Sequence, residues 1–416
     1  MTLWTPDYRV KANGNDVTDI TLVGFTITSG RRDINAPTEA GYANLNLINT
    51  NNEYYGFTVN TAISIEVKDS AGTYVPIFGG RISDISYEVQ SAGSTATVTR
   101  INITALGALF RLQRAIFDGN LTEDLDGGQI EQLLQDLLLN SWNEVPPSET
   151  WNTYDPATGT WANAENVGLG TIDAGAYTMS SRQITDSFIS PIANSIAQSA
   201  GGYLYEDANG LISYADITHR QDNLVANGYV DLDANHALAS GIASVARQGD
   251  IVNKVTIDYG NNFNSSYTAQ DTDSQATYGL YAEQLNSYIK GQTDAEDFAD
   301  RVIALRAFPR DRFQSITFPV HSTEIDDTDR DAMLNINMGM PVRLNNLPPN
   351  ITNGQFEGFI EGWTWRSSVN GLFLTFTASP TAYNAVAQQW AQVNAAETWN
   401  SILNTLEWQD AIGVLS

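Results

Sequence analysis

The chain has 416 residues, carries 48 acidic against 21 basic side chains for a formal charge of −27, and contains no cysteine. That balance excludes a binder of nucleic acid or anionic membrane, since either needs clustered positive charge. The absent thiols exclude disulfides, zinc–thiolate sites and a cysteine nucleophile. The length predicts about three domains. No apolar run is long enough to span a bilayer. The opening MTLWTPDYRV lacks the charged and apolar regions of a secretory signal, so none is expected.

Tyr8, Val10 and Val17 flank Asn13-Gly14, which predicts an opening hairpin whose turn needs positive φ. Phe25 and Ile27, then Leu45 and Leu47, alternate with Thr26, Thr28 and Asn46, the period-2 pattern of two half-buried strands. Gly30-Arg31-Arg32-Asp33 reads as a polar corner between them, and Gly41 as a glycine where the chain turns back. Ile63, Ile65 and Val67 alternate again. Gly72 and Gly79-Gly80 then lead to Ile82, Ile85, Tyr87 and Val89, and Val98, Ile101 and Ile103 close the set before Ala105–Leu109. So many short strands with one apolar face predict a small antiparallel barrel or sandwich.

In order along the chain, ITSGRRD, AGYANLNLINTNNEYYG, ISIEV, IFGGRISDISYEV and INITALGALFRL resemble the N-terminal region of bacteriophage tail hub proteins, also called baseplate hub, tail-tip or minor tail proteins. The order of the pieces carries the resemblance, since none is diagnostic alone.

After Leu112 the period changes. Ile130, Leu133, Leu134, Leu137 and Leu138 predict an amphipathic helix with Glu131 and Asp136 outward. Residues 146–176, with Trp151, Tyr154 and Trp161 among polar residues, read as a long loop or hairpin insertion. Ser190-Pro191 predicts a capped helix burying Ile192, Ile196 and Ala200 and stopped by Gly201-Gly202. Tyr203–Tyr205 and Leu211–Tyr214 bracket Asn209-Gly210 as a hairpin, a unit that also resembles the middle domain of tail hubs. A strand follows at 251–260, and residues 261–280 read as a polar loop. Thr293 with Glu296 predicts a capping box for a helix burying Phe298, Val302 and Leu305 and ended by Pro309. Ile316, Phe318 and Val320 alternate, and GMPVRL, GFIEGWTW and LFLTFTASP then occur in an order similar to that of tail hubs, so the likeness covers most of residues 8–380. The departures are residues 146–176 and 261–280. Beyond Pro380, Trp390, Trp399 and Trp408 recur every nine residues, a spacing that suits either partner docking or packing on the chain's own body.

No pattern carries catalysis. His219, His236 and His321 are scattered in polar contexts, and no nucleophile elbow, phosphate loop or zinc-protease signature is present. Asp231-x-Asp233-x-Asn235 begins like a calcium loop but has His236 and Ile242 where such a loop needs glycine and glutamate, so it reads as a solvated turn. Asp326, Asp327, Asp329 and Asp331 read as an acidic surface loop. Residues 152–161 match one kelch-like blade motif without the repeats a propeller needs, and read as a single hairpin. Arg301, Arg306, Arg310 and Arg312 are interleaved with Asp297, Asp300 and Asp311, which predicts a salt-bridged face or subunit contact.

The expected fold is α+β and mainly β. By the resemblance it has two small tube-like antiparallel barrels, at 1–115 and 245–380, the second interrupted at 261–312. An α/β domain at 116–244 lies between them, and a Trp-repeat extension covers 381–416. The resemblance implies a trimeric, non-enzymatic hub of a phage tail tip, without cofactor or metal, assembled in the host cytoplasm and located at the distal end of the tail in the virion. Its implied partners are further copies of itself, the tail tube or a distal tail ring, and tip fibre or spike proteins. Viral DNA would pass through the lumen without specific binding. Trp390, Trp399 and Trp408 are the candidate partner-binding residues. Two other readings stay open: a carbohydrate-binding adhesin using exposed aromatics, and a tail-associated hydrolase.

Overall fold

The computed structural model describes residues 4–17, 21–50, 54–91, 97–138, 154–155, 160–161, 169–238, 241–368 and 370–384. Asn13 and Gly14 both take positive φ, 46° and 77°, and fold β1 (Tyr8–Ala12) onto a short return strand at Asn15–Asp16, as their identities predict. β2 (Thr21–Gly30) and β3 (Glu39–Asn49) pair antiparallel, with Phe25 opposite Leu45 and Ile27 opposite Ala43, and bury all four side chains. Gly41 is not at a turn. It stands inside β3, where a Cβ would collide with the Glu206 carboxylate, so it makes room for a buried side chain rather than a bend. β4 (Ala62–Lys68), β5 (Tyr74–Ser91) and β6 (Val98–Leu106) complete a set ordered β2-β3-β6-β5-β4, with β1 outside β4.

A second set repeats this plan. β7 (Ala243–Val245), β8 (Arg312–Pro319), β9 (Pro341–Asn345), β10 (Phe356–Ser368) and β11 (Gly371–Pro380) run in the order β7-β8-β11-β10-β9. The register repeats as well. Ile63 lies opposite Gly80 and Val342 opposite Gly358; Ile82 lies opposite Ala105 and Ile360 opposite Ala378. In each hairpin the ladder shifts just beyond that isoleucine, between Ile82 and Asp84 and between Ile360 and Gly362. Each isoleucine carbonyl also accepts from a residue with positive φ, Asn60 or Gly339, at 2.8 Å.

β10 joins the sets. One of its edges pairs throughout with β11, while the other pairs first with β9 and then, past Glu361, with β2. The result is one 13-stranded sheet with a single apolar core running from Val10 to Ala378. The chain is therefore α+β and mainly β. Where barrels were expected, the described residues form two open lobes of five matched strands, flanked by β1 and its return strand on β4 and by Val230–Asp233, parallel to β9, and no strand pairing closes either lobe on itself.

Two smaller cores flank the sheet. α1 (Asp126–Leu138) buries Ile130, Leu133 and Leu134 against α2 (Ile189–Ala200). α2 starts at Ile189 without a side-chain cap, so Pro191 sits inside the first turn, where its missing N–H costs nothing. The Tyr203–Glu206 and Ile212–Ala215 hairpin follows, then α3 (His219–Asn227). Lys254–Tyr259 centres a separate three-stranded sheet, flanked by Ser265–Gln270 and Ala282–Asn286 and packed on α4 (Gln292–Arg306). Residues 261–280 thus hold a strand and a helix (Thr272–Tyr278) rather than a loop; the strand's inward face is only Tyr267 and Ala269, too short an alternation to reveal it among polar residues. The capping box does not form. α4 begins at Gln292 behind Gly291, with Gln292 Nε2 donating to Glu296 at 2.7 Å. The acidic run at 326–331 opens α5 (Asp327–Leu334): Asp326 accepts from Asp329 N at 2.8 Å, and the carboxylates complement the helix dipole. Of residues 152–161, the described pieces are a two-residue ladder pairing Tyr154 with Trp161.

A buried charge joint as the candidate functional site

Glu361 is the extra residue in β10 at the point where its edge passes from β9 to β2, and a bulge there re-aims a side chain. Its carboxylate is 1% exposed. Arg31, one residue past β2, donates from Nε to Oε2 at 2.6 Å, and Arg220 of α3 binds both oxygens at 2.7 and 2.8 Å. Ser379 Oγ also donates to it. The backbone closes the same contact, Arg31 N donating to Glu361 O at 2.9 Å. The Tyr203 ring lies 4.9 Å from the Arg31 guanidinium and 4.7 Å from that of Arg220. Arg220 further donates to Asn384, whose Nδ2 reaches Ser379 Oγ at 3.0 Å. One carboxylate thus ties β2, β10, β11, α3 and the 203–206 hairpin together. The approach is close enough to need glycine: Gly30 has φ 87°, and its Cβ would lie 2.6 Å from Gly362 Cα.

Burial by itself pushes the Glu361 carboxyl up, but the Arg220 and Arg31 charges outweigh it and hold it at about 2. Arg220 is held above its ordinary value: burial pulls it down, and Glu361 more than compensates. Arg31 falls below its ordinary value, because burial outweighs its share of the same carboxylate. A second buried carboxylate, Glu206, has no cation partner among the described residues. It accepts from Gly41 N at 2.6 Å and Leu109 N at 2.9 Å, pinning the hairpin to β3 and to the chain beyond β6. Burial pushes it up to about 7 in spite of those donors.

Beside the joint lies a cleft of about 870 Å³ lined by Arg31, Arg220, Tyr203, Asp250, Arg306 and Tyr383. Arg306 stacks on Tyr383 at 4.6 Å and donates to Asn35 at 3.0 Å, and Arg312 sits 3.3 Å from both Asp33 and Asp250. The predicted pairing of the arginines with Asp297, Asp300 and Asp311 does not form among the described residues. Arg301 instead donates to Ile217 O at 3.1 Å and Asp297 accepts from Tyr177 at 2.8 Å, since buried partners from other elements outcompete neighbours along the helix.

The three histidines stay apart. His219 Nδ1 is 2.8 Å from Asp173, and His321 contacts the Leu372 backbone. Asp231 and Asp233 accept from Asn345 and Asn346, and no group of described residues is arranged to hold a metal ion. Trp390, Trp399 and Trp408 lie outside the described residues. Sequence reasoning missed Glu361, Arg220 and Glu206. The one trace of the first was a lone carboxylate in the otherwise apolar GFIEGWTW.

No protein-family model and no curated protein matches the chain. Solved structures do. The 43 kDa tail protein of prophage MuSo2 from Shewanella oneidensis is 12% identical over 91% of this chain and 99% of its own, with a TM-score of 0.54. The tail protein from Neisseria meningitidis MC58 is 10% identical over 92% and 98%, with a TM-score of 0.58. At such identity the likeness is one of architecture: this chain has the fold of phage tail proteins.

Proposed function

We propose that the chain is the structural hub of a phage tail tip or baseplate, a trimeric adaptor joining a hexameric tail tube to the host-facing tip around the DNA exit channel. One observation carries this reading: each chain holds two lobes with the same strand order and register, so three chains offer six similar surfaces to six tube subunits. The fold shared with two phage tail proteins supports it. The partners are the tube or a distal tail ring on one side and fibre or spike proteins on the other, with Trp390, Trp399 and Trp408 contributing contacts. The role is mechanical, not enzymatic, and its place is the distal end of the tail. The division into 1–115, 116–244, 245–380 and 381–416 belongs to the same reading. The charge of −27 suits a conduit that repels phosphate. Light scattering on the full chain, alone and mixed with the tail-tube protein of the same phage, tests it. A trimer that caps tubes is the expected result; a monomer indifferent to tubes overturns the proposal.

A further inference from the structure

The chain carries its internal joint once made and once unmade. β4 covers β5 only as far as Arg81, just as β9 covers β10 only as far as Phe359. Beyond that point β10 is taken up by β2, whereas the same edge of β5, residues 83–91, has no strand partner among the described residues. Side chains at matching positions record the difference. Trp365, covered by β2, is 0% exposed; Tyr87, at the same place in the repeat, is 55% exposed and Val89 beyond it 63%. At the far end of the sheet β7, the counterpart of β2, keeps its outer edge free among the described residues. An unpaired strand edge bearing apolar side chains is a template for another chain.

We propose that the free half of β5 pairs antiparallel with β7 of a second copy of this chain, reproducing between copies the β10–β2 joint that exists within one. The register follows from the repeat. Ile27 lies opposite Ala43, which lies opposite Ala105; Ser244 lies opposite Phe313, which lies opposite Ala378. Ala105 and Ala378 are equivalent, so Ser244 is the counterpart of Ile27. Trp365 faces Ile27 within the chain, and Tyr87 therefore faces Ser244 between copies. The contact is head-to-tail, the kind that closes into a ring. It rests on the hub reading only for the number of copies in that ring. The two joints differ in strand length, β7 having three residues to the ten of β2, and at the bulge: the position held by Glu361 inside the chain is Ser83 in β5, whose hydroxyl is spent on Thr104 O and Asp84. The joint between copies has no buried ion pair at that position and separates more readily than the one within.

The test uses the full-length chain. Tyr87→Lys puts a charge into the proposed contact at an exposed position, where the tyrosine hydroxyl makes only a long bond to Phe57 O at 3.5 Å, so the circular dichroism spectrum stays as in the parent. The parent is expected to be trimeric by light scattering, and Tyr87→Lys monomeric at the same concentration. Because the chain has no cysteine, Tyr87→Cys combined with Ser244→Cys should give disulfide-linked multiples on a non-reducing gel. A trimer that survives Tyr87→Lys and does not cross-link overturns this pairing while leaving the hub reading intact. A monomeric parent overturns both.

Discussion

Two buried carboxylates give this protein opposite responses to pH. Glu361 has a folded value of about 2 against an ordinary 4.5, so its stabilising contribution is complete above pH 4.5 and is lost as pH falls through about 2. Glu206 has a folded value of about 7, so the fold binds its proton more tightly than the unfolded chain does. Stability from this group is greatest below pH 4.5 and declines up to about pH 7, by on the order of 3 kcal/mol. Urea unfolding of the parent across pH 4.5 to 7 should show that decline, and Glu206→Gln should flatten it while leaving the acid limb in place. Glu361→Gln strands two buried guanidiniums and should cost about 3–5 kcal/mol at neutral pH, read as a lower urea midpoint.

At the scale of elements, the repeat supplies its own control. Trp365→Ala opens a cavity under β2 and should cost about 3–5 kcal/mol, whereas Tyr87→Ala, at the matching position on the uncovered strand, should change subunit stability by less than about 1 kcal/mol. Thermal melts of the two variants and the parent, all diluted to where the chain is monomeric, make the comparison, and equal losses would mean that β5 is covered within the chain. Asp326→Ala removes the cap of α5 and should cost about 1 kcal/mol in the same assay. The strands of both lobes were legible because each buries one face and so shows alternating apolar residues. The Ser265–Gln270 strand was not, because only Tyr267 and Ala269 face its core, on an edge whose other side chains are polar. The helix boundaries at Ile189 and Gln292 were misjudged because backbone and tertiary contacts, rather than Ser190 or Thr293 caps, start those helices.

In the whole molecule, charge and topology have separate consequences. A net −27 predicts no retention of duplex DNA at physiological salt, which a gel shift checks; a retarded complex would contradict the repelling conduit. Composition and periodicity by themselves determined the acidic, thiol-free character, the strand-rich lobes, the first hairpin and the α1 stripe, because these depend on side chains near in sequence. Tertiary structure alone decided that the two lobes are one sheet, that Glu361 meets Arg31 and Arg220, and that β5 is left half covered. The Arg31–Glu361 contact alone joins residues 330 positions apart, and no local pattern encodes which distant strand will occupy an edge. Backbone hydrogen bonding is the same for every residue type but proline, so the choice of partner is made by packing and by buried charge, and both exist only once the chain has folded.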